Sequence, residues 1–198
     1  MIQMKSGAKA VTAGLAIAVA CGVSTPALAD SVAVILKAGS FSVSEDRQTI
    51  DGGNVGLDDS ASGVFGIEGE WRQTNGLALG IEYLQYENDV SAPSVVGSST
   101  MDTSLVLFNV KKYFNPTATV NPYIGAGLGA VSVDFGGDII TGSAGGFALQ
   151  AIGGIEFRFD KVGLYTEFKA LHAVAEDEAG EKAKASGSGV FAGISVSF

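Results

Sequence analysis

The sequence predicts an all-β protein, a closed antiparallel transmembrane β-barrel of about eight strands. Hydrophobic and polar residues alternate along segments of strand length from Ser31 onward. The connections between these segments are short and long in turn, as they are in barrels that cross a membrane. Beyond the first 29 residues, no apolar run approaches the roughly 20 residues that a membrane-spanning helix needs. The 28 glycines and only 4 prolines also favour closely packed strands over a disordered chain.

The first 29 residues have the pattern of a secretory signal peptide. Lys5 and Lys9 precede an apolar stretch at 10–23, and alanines at 27 and 29 supply the small residues of a cleavage site. We expect cleavage between Ala29 and Asp30. The remaining residues, 30–198, are then expected to form one barrel domain.

The only cysteine, Cys21, lies within this predicted signal. Ala18-Val19-Ala20-Cys21 loosely resembles a lipoprotein cleavage box, which leaves lipid modification as an alternative, although Ala18 stands where such boxes usually carry a larger aliphatic residue. Cleavage after residue 29 would leave no cysteine for a disulfide or a thiol nucleophile. It would also remove two lysines and no acidic residue, so the formal charge would change from −9 to −11. A chain this acidic is a poor nucleic-acid binder, and we expect no nucleic-acid partner.

The strand pattern is clearest between Leu77 and Glu87. Leu77, Leu79 and Ile81 share one face, whereas Ala78, Gly80 and Glu82 share the other. One face suits lipid and the other suits a polar interior. The same alternation marks eight segments, at 31–43, 64–72, 77–87, 106–111, 123–135, 149–158, 164–169 and 190–198.

The connections fall into two sets. Short ones are predicted at 73–76, 115–121 and 160–161, and longer ones at 44–61, 89–100, 136–143 and 174–186. Asn75-Gly76 is a strong hairpin signal, because both residues tolerate positive φ. Short periplasmic turns that alternate with longer external loops place both chain ends on the periplasmic side.

Three stretches resemble the outer-membrane β-barrel domain family, the small barrels of OmpA/OmpX type. They are Asn109-Val110-Lys111-Lys112-Tyr113-Phe114, the strand Pro122-Tyr123-Ile124-Gly125-Ala126-Gly127-Leu128-Gly129, and the final strand from Val190 to Phe198. The resemblance spans nearly all of the chain after the signal. It implies a location in the outer membrane, surrounded by lipid and lipopolysaccharide. It also implies that the strand ending in Phe198 is the signal read by the barrel-assembly machinery.

Nine charged residues fall on the face opposite the predicted lipid face: Glu68, Glu70, Arg72, Glu82, Lys111, Glu156, Arg158, Glu167 and Lys169. An eight-stranded barrel is just wide enough inside to be filled by side chains. We therefore expect these charges to pair in a network that plugs the barrel, with a narrow polar path or a ligand site as the alternative. A soluble β-sandwich is disfavoured, because it would leave the same charges in a dry core.

The sequence offers little that could carry catalysis. Some small barrels are lipid-modifying hydrolases with a histidine and a serine near the rim, but His172, the only histidine, has no His-x-Ser pattern beside it. We therefore expect a solvated rim histidine. The glycines at 125, 127 and 129 keep strand alternation, and no helix follows them, so they are expected to face a crowded lumen rather than a nucleotide. No cofactor and no metal site are expected.

Acidic residues are concentrated in two predicted external loops: Glu45, Asp46, Asp51, Asp58 and Asp59 in the first, and Glu176, Asp177, Glu178 and Glu181 in the last. A solvated surface is the simplest interpretation. Weak binding of divalent cations that bridge to lipopolysaccharide is the alternative, although no EF-hand spacing is present. The sequence thus predicts a non-catalytic outer-membrane barrel with a structural or surface-interaction role. A narrow channel for small solutes is the second hypothesis, and a rim lipid-modifying hydrolase is the third.

Overall fold

The structure, a computed structural model, describes residues 31–43, 47–50, 53–57, 62–91, 99–137, 142–176, 182–184 and 186–198. The predicted signal peptide, its cleavage site and most of the acidic loop residues lie outside these ranges: 1–29, Asp30, Glu45, Asp46, Asp51, Asp58, Asp59, Asp177, Glu178 and Glu181. Within the described ranges, no helix is long and apolar enough to cross a membrane.

The described residues form eleven strands. They are β1 (Ser31–Val43), β2 (Arg47–Ile50), β3 (Gly53–Leu57), β4 (Ser62–Arg72), β5 (Leu77–Ser91), β6 (Ser99–Tyr113), β7 (Val120–Gly137), β8 (Gly142–Phe159), β9 (Val162–Glu176), β10 (Lys182–Lys184) and β11 (Gly187–Ser197). Eight of them, β1, β4 to β9 and β11, form the wall of the barrel. The short strands β2, β3 and β10 extend the wall at one end, where β3 pairs with β5 and β10 pairs with β9.

The wall closes between its first and last strands. β1 pairs antiparallel with β11 from Ala33 opposite Ser197 to Val43 opposite Gly187. Beyond these pairs, the backbone N–H of Phe198 donates to the carbonyl oxygen of Val32 at 2.8 Å. Every neighbouring pair of wall strands is antiparallel. The predicted fold class, a closed antiparallel barrel of eight strands, is confirmed.

The strands are staggered around the wall. A path from partner to partner that starts at Val32 on β1 returns to β1 at Ser42, ten residues further along. The path runs through Trp71, Leu79, Val110, Ala126, Ala151, Ala170 and Ser188. A stagger of this kind requires strands tilted by roughly 35–45°, and in an eight-stranded barrel it leaves an interior that side chains can fill.

A belt of large apolar side chains covers the outer wall. Phe65, Phe108, Leu128, Phe168 and Ile194 all point outward and are about half exposed. Contiguous exposure on this scale is unfavourable in water, whereas it suits contact with acyl chains. The outer face of these strands is therefore built for lipid.

The polarity of the two faces reverses along single strands, contrary to expectation, although the inward and outward positions keep their spacing of two. On β6, Val110 points outward and Lys111 inward, but further along the same strand Asp102 points outward and Met101 lies buried inside. The lumen near the long connections is consequently apolar, which corrects the expectation of a polar interior throughout. We call this part the apolar tier; its larger side chains are Phe41, Val43, Val64, Leu84, Tyr86, Met101, Leu105, Leu107, Val131, Val133, Leu171 and Phe191.

This reversal accounts for a second difference from the predicted elements. Stretches expected to be loop contain strand: β2 and β3 lie within 44–61, β5 continues to Ser91, and β10 lies within 174–186. Beyond the lipid belt, strands are stable with polar residues outward and apolar residues inward, as in a barrel that stands in water. The wall therefore extends past the belt.

The short turns also differ in detail from expectation. In the β4–β5 turn Gly76 has φ of 83°, but Asn75 does not adopt positive φ. The Asn75 side-chain oxygen instead accepts a hydrogen bond from Leu77 N at 2.8 Å. In the β8–β9 turn Asp160 has φ of 56°, a conformation that aspartate tolerates better than most residues.

Candidate functional site: the charged lumen

All nine charged residues predicted for the interior lie on the inner wall. Eight of them are no more than 6% exposed: Glu68, Glu70, Arg72, Glu82, Lys111, Glu156, Glu167 and Lys169. Arg158 stands at the end with the short turns, and its side chain is 25% exposed.

A tenth charge, Lys37 on β1, was missed by sequence reasoning. Its side chain is fully buried, and its Nζ donates to Glu68 at 2.8 Å, to Glu82, and to Glu167 at 3.3 Å. Ile35 and Phe41 share its inward face, so β1 lacks the polar inner face that marked the other strands. One signal was present, because Lys37 is the lone charge within Ser31–Val43, and a charge in mid-strand belongs inside.

With Lys37 included, five basic and five acidic side chains of the described residues line the lumen. The equal numbers matter because an uncompensated charge in a low-dielectric interior costs several kcal/mol. Formal charge is thus balanced among the described residues of the lumen.

Six of these residues form a closed circuit of alternating charge, which we call the central ring. In order, it runs Lys37, Glu68, Lys111, Glu167, Lys169, Glu82 and back to Lys37. The shortest distances between a lysine Nζ and a carboxylate oxygen in this circuit are those from Lys37 and Lys169 to Glu82. The longest is 3.7 Å, between Lys111 and Glu167. Each member has an opposite charge on both sides, so the removal of any one leaves two neighbours short of a partner.

Neutral side chains satisfy much of the remaining hydrogen-bonding capacity of the ring. Asn109 Nδ2 donates to Glu68 and to Glu82, both at 2.9 Å. Gln150 Nε2 donates to Glu82 at 2.8 Å, and Tyr123 OH donates to Glu167 at 2.9 Å. Buried ion pairs are tolerated only when such additional bonds are made.

Four of the interior cations also lie over aromatic rings. Lys37 is 5.8 Å from the ring centroid of Tyr165, Arg72 is 4.9 Å from Tyr113, Lys111 is 5.5 Å from Tyr123, and Lys169 is 5.6 Å from Phe191. Cation–π contacts of this geometry strengthen when they are desolvated.

A second group of charges lies nearer the short turns. Arg72 donates to Glu70 at 2.6 Å and to Glu156 at 2.9 Å. Arg158 donates to Glu156 at 2.7 Å, and Ser195 donates to the same carboxylate at 2.8 Å. We call Glu70, Arg72, Glu156 and Arg158 the mouth cluster. Together, the central ring and the mouth cluster fill the lumen between the apolar tier and the short turns with paired charge.

Inward-facing glycines provide the space that these long side chains occupy. A Cβ on Gly127 would meet Asn109 Oδ1 and Gln150, and one on Gly125 would meet Lys111 and the carbonyl of Val110. The glycines of the 125–129 stretch thus face a crowded lumen, as the alternation indicated.

The structure brings one serine to the lone histidine. His172 is exposed on the outer wall, and its Nδ1 lies 3.1 Å from Ser186 Oγ. The two residues are 14 positions apart, so a search for His-x-Ser could not find them. Ser186 Oγ also accepts a bond from Ala173 N at 3.1 Å and lies 3.3 Å from Ala173 O, which fixes the segment before β11 against β9.

Outward carboxylates form a row beyond the apolar belt. Glu87 on β5 stands opposite Asp102 on β6, and Asp102 stands opposite Asp134 on β7. Glu176, the described member of the last acidic loop set, is also exposed. In the described parts of the chain, no group of three or more histidines, cysteines or carboxylates could hold a metal ion.

Neither family models nor curated proteins match this chain. Solved structures do. Neisserial surface protein A is similar over 85% of this chain and 97% of its own, with 17% identity and a TM-score of 0.56. The outer membrane protein OprG from Pseudomonas aeruginosa is similar over 86% of this chain and 96% of its own, with 10% identity and a TM-score of 0.59. The N-terminal β-barrel domain of OprF from the same organism gives 12% identity, 86% and 98% coverage, and a TM-score of 0.56.

These similarities cover almost the whole of each solved barrel. At such low identity they establish the fold alone. This fold is the one of the small outer-membrane barrels that the sequence resembles. The apolar outer belt agrees with it, and the chain is a membrane β-barrel.

Proposed function

We propose that this chain is a non-catalytic, integral outer-membrane protein with a structural or surface-interaction role, and that it acts through the part of the barrel that extends beyond the lipid belt. The observation that carries the proposal is the filled lumen. The central ring is at most 2% exposed, and the apolar tier closes the lumen above it. A lumen filled in this way leaves the external surface as the part of the barrel that can meet other molecules.

The chemistry of that surface supports a partner that binds through divalent cations. Like charges placed directly opposite on neighbouring strands repel each other, and Asp102 and Asp134 form such a pair. The described carboxylates form no complete metal site by themselves. A divalent cation that takes further oxygen ligands from a phosphate of lipopolysaccharide would relieve this repulsion. The acidic residues predicted in the external loops would add to the same field.

The proposal is tested by neutralising the row. We expect the triple variant Glu87→Gln, Asp102→Asn and Asp134→Asn to assemble normally, because these side chains point outward beyond the belt. Its calcium-dependent retention on lipopolysaccharide should fall, and raised salt should weaken the parent in the same way, since the Debye length is only about 10 Å at 0.1 M.

The matched control is Asp160→Asn, which removes a carboxylate at the opposite end of the barrel and keeps a residue that tolerates positive φ. Unchanged retention of the triple variant would contradict the cation-bridged partner and leave the row as a solvated surface. The loop variant with serine at Glu176, Asp177, Glu178 and Glu181 extends the test to the loops.

Export and assembly are part of the proposal. We infer that the signal is removed between Ala29 and Asp30 and that the barrel-assembly machinery reads the final strand. Phe198 is 69% exposed on the outer face, so the folded barrel does not depend on the burial of its ring. Phe198→Ser should slow assembly in cells, while the same variant should still refold from urea in detergent. Equal assembly rates in cells would contradict the role of this residue.

A rim lipid hydrolase is a second candidate, because the 3.1 Å contact between Ser186 and His172 lies on the lipid-facing wall. We favour the structural interpretation, since Ser186 is bonded to the backbone of Ala173. His172→Ala would abolish the release of fatty acid from lipopolysaccharide if the pair is catalytic. We expect no release from either protein.

A further inference from the structure

The lipid-facing side of the wall carries one cation at the end with the short turns. Among the outward positions of the eight wall strands whose side chains the structure describes, the charged residues are four carboxylates and one lysine: Glu87, Asp102, Asp134, Glu176 and Lys112. The carboxylates lie at the external end of their strands. Lys112 is exposed and lies next to the last residue of β6, where the chain enters a short turn. The outward charge of the described wall is therefore negative at the external margin and positive at the periplasmic one.

Lys112 pairs with no carboxylate of the described residues. Its Nζ donates to the carbonyl oxygen of Asn75 in the β4–β5 turn at 2.6 Å. An ammonium group has three N–H donors, so two remain for another partner. Each of the five interior cations, by contrast, forms an ion pair with a glutamate. A counter-ion for Lys112 must therefore come from outside the described protein.

The outward neighbours of Lys112 are apolar. Leu77 on β5 and Ile124 on β7 stand directly opposite it, and Val110 and Phe114 lie two residues away on either side. In a membrane barrel such a surface is covered by acyl chains, and aromatic residues mark the level of the headgroups. A lysine in this position keeps its aliphatic stem among the chains and its ammonium among the headgroups. The bond to Asn75 agrees with this placement, because the turn lies beyond the end of the strands.

The wall beside Lys112 also has room for an acyl chain. Ala126 on β7 is two residues beyond the partner of Lys112, and it stands opposite Ala151 on β8. Two residues further along β8, the Cβ position of Gly153 has nothing within 4 Å. Phe168 on β9 stands opposite Gly153, is about half exposed and borders this recess. Since the stagger climbs towards the external end from β6 to β9, the recess rises from Lys112 into the bilayer.

We propose that this face binds one anionic glycerophospholipid of the periplasmic leaflet, with its phosphate at Lys112 and an acyl chain in the recess. Charge complementarity identifies the headgroup. The phosphodiester of phosphatidylglycerol carries an unbalanced negative charge, whereas phosphatidylcholine neutralises its own phosphate with a cation. Lipopolysaccharide belongs to the external margin, where the described outward charges are acidic. The inference rests on the membrane location and not on the external carboxylates, so its failure would leave retention on lipopolysaccharide unchanged.

Tryptophan quenching by brominated phospholipids tests which lipid contacts Lys112. The chain has one tryptophan, Trp71, which lies on β4, two strands away from Lys112. The double change Trp71→Phe with Ile124→Trp moves this reporter to the position directly opposite Lys112. The full-length barrel, shown to be folded by its gel migration before and after boiling, is placed in vesicles of phosphatidylcholine and phosphatidylglycerol, with each lipid brominated in turn.

We expect the reporter to show a preference of about fivefold for phosphatidylglycerol, the size that one lysine near a membrane surface supplies. Glycerol phosphate, which has the headgroup chemistry without acyl chains, should not displace the lipid at matched ionic strength. Displacement by glycerol phosphate would mean that Lys112 binds a soluble phosphate, and the absence of any lipid preference would overturn the proposal.

Three further changes in the reporter protein locate the site. Lys112→Gln should reduce the preference to about one, because it removes the charge that selects the phosphate. Lys161→Gln is the matched control, since it removes an exposed cation from the β8–β9 turn at the same end and should leave the preference intact. Gly153→Phe fills the recess, keeps Lys112 and should lower the preference. A preference that survives Lys112→Gln, or one that Lys161→Gln lowers equally, would contradict a site at Lys112, and an unchanged preference in Gly153→Phe would contradict the chain in the recess.

Discussion

Lys37 shows how one buried residue organises its surroundings. Its ammonium contacts carboxylates from three strands, Glu68 on β4, Glu82 on β5 and Glu167 on β9. Such contacts add little net stability over a well-packed apolar core, but the loss of one partner exposes the full desolvation cost of the other. The residues of the central ring are therefore expected to be sensitive one at a time and tolerant when replaced as pairs.

Glu82→Gln tests this directly. It removes the carboxylate shared by Lys37 and Lys169, and we expect a loss of about 3–5 kcal/mol in the free energy of unfolding, measured by urea titration in lipid vesicles. The double variant Glu82→Gln with Lys169→Met should recover part of the loss. Glu176→Gln, an exposed change of the same kind, should stay within about 0.5 kcal/mol. A single variant as stable as the parent would mean that the ring is hydrated.

Glycine positions provide a second test at this scale. Gly127→Ala places a Cβ against Asn109 and Gln150, and overpacking of this kind costs about 1–3 kcal/mol. Gly153→Ala is the matched control on the neighbouring strand, because nothing lies within 4 Å of its Cβ position. The two unfolding midpoints, compared in the same detergent, should separate clearly. Equal midpoints would indicate that the lumen near Gly127 is not closely packed.

At the scale of single strands, the reversal of polarity is the main result. β5, β6 and β7 each cross the lipid belt with apolar residues outward and continue beyond it with carboxylates outward. The crossover lies where the surrounding solvent changes from acyl chains to water, since each face of a strand follows its solvent.

Adjacent residues on β7 test the crossover. Val133 is buried in the apolar tier, whereas Ser132 points outward and is exposed. We expect Val133→Asp to cost at least about 2 kcal/mol, because it buries a carboxylate without a partner. Ser132→Asp should change stability by no more than about 0.5 kcal/mol. If Ser132→Asp instead blocks insertion into bilayers, the lipid belt extends further than the exposed carboxylates indicate.

For the whole molecule, closure and filling of the lumen have separate consequences. Closure pairs β1 with β11 along their length, so the folded barrel should resist detergent until heated. Filling should prevent conduction, since the ring side chains are closed to solvent. The channel hypothesis differs from the proposed function on the second point alone.

Planar-bilayer recording decides between them. We expect the protein to show no large, steady conductance, while the same sample migrates differently on gels before and after boiling. The change in gel migration on boiling serves as the control, because it shows that the protein without conductance was folded. A steady, wide pore from heat-modifiable protein would contradict the filled lumen and favour the channel for small solutes.

The sequence by itself determined the fold class and identified nine of the ten inward charges of the described residues, all but Lys37. The pleat of a strand sets a period of two, so the side chains of Glu82 and Ile81 must point to opposite faces of β5 whatever the neighbouring strands do. The number of segments and the short Asn75-Gly76 turn then fixed an up-and-down barrel. None of this required knowledge of which strands touch.

Only the tertiary structure decided which side chains meet. The ring joins Lys37 to Glu167 across 130 positions, and the stagger of the strands sets which residues share a level. The same stagger brings Ser186 to His172 and gathers Arg72 and Arg158 at one mouth. The alternation along one strand does not tell how far that strand is shifted along its neighbour. These contacts therefore follow from the register between strands, and so does the position along the barrel axis at which the lumen changes from charged to apolar.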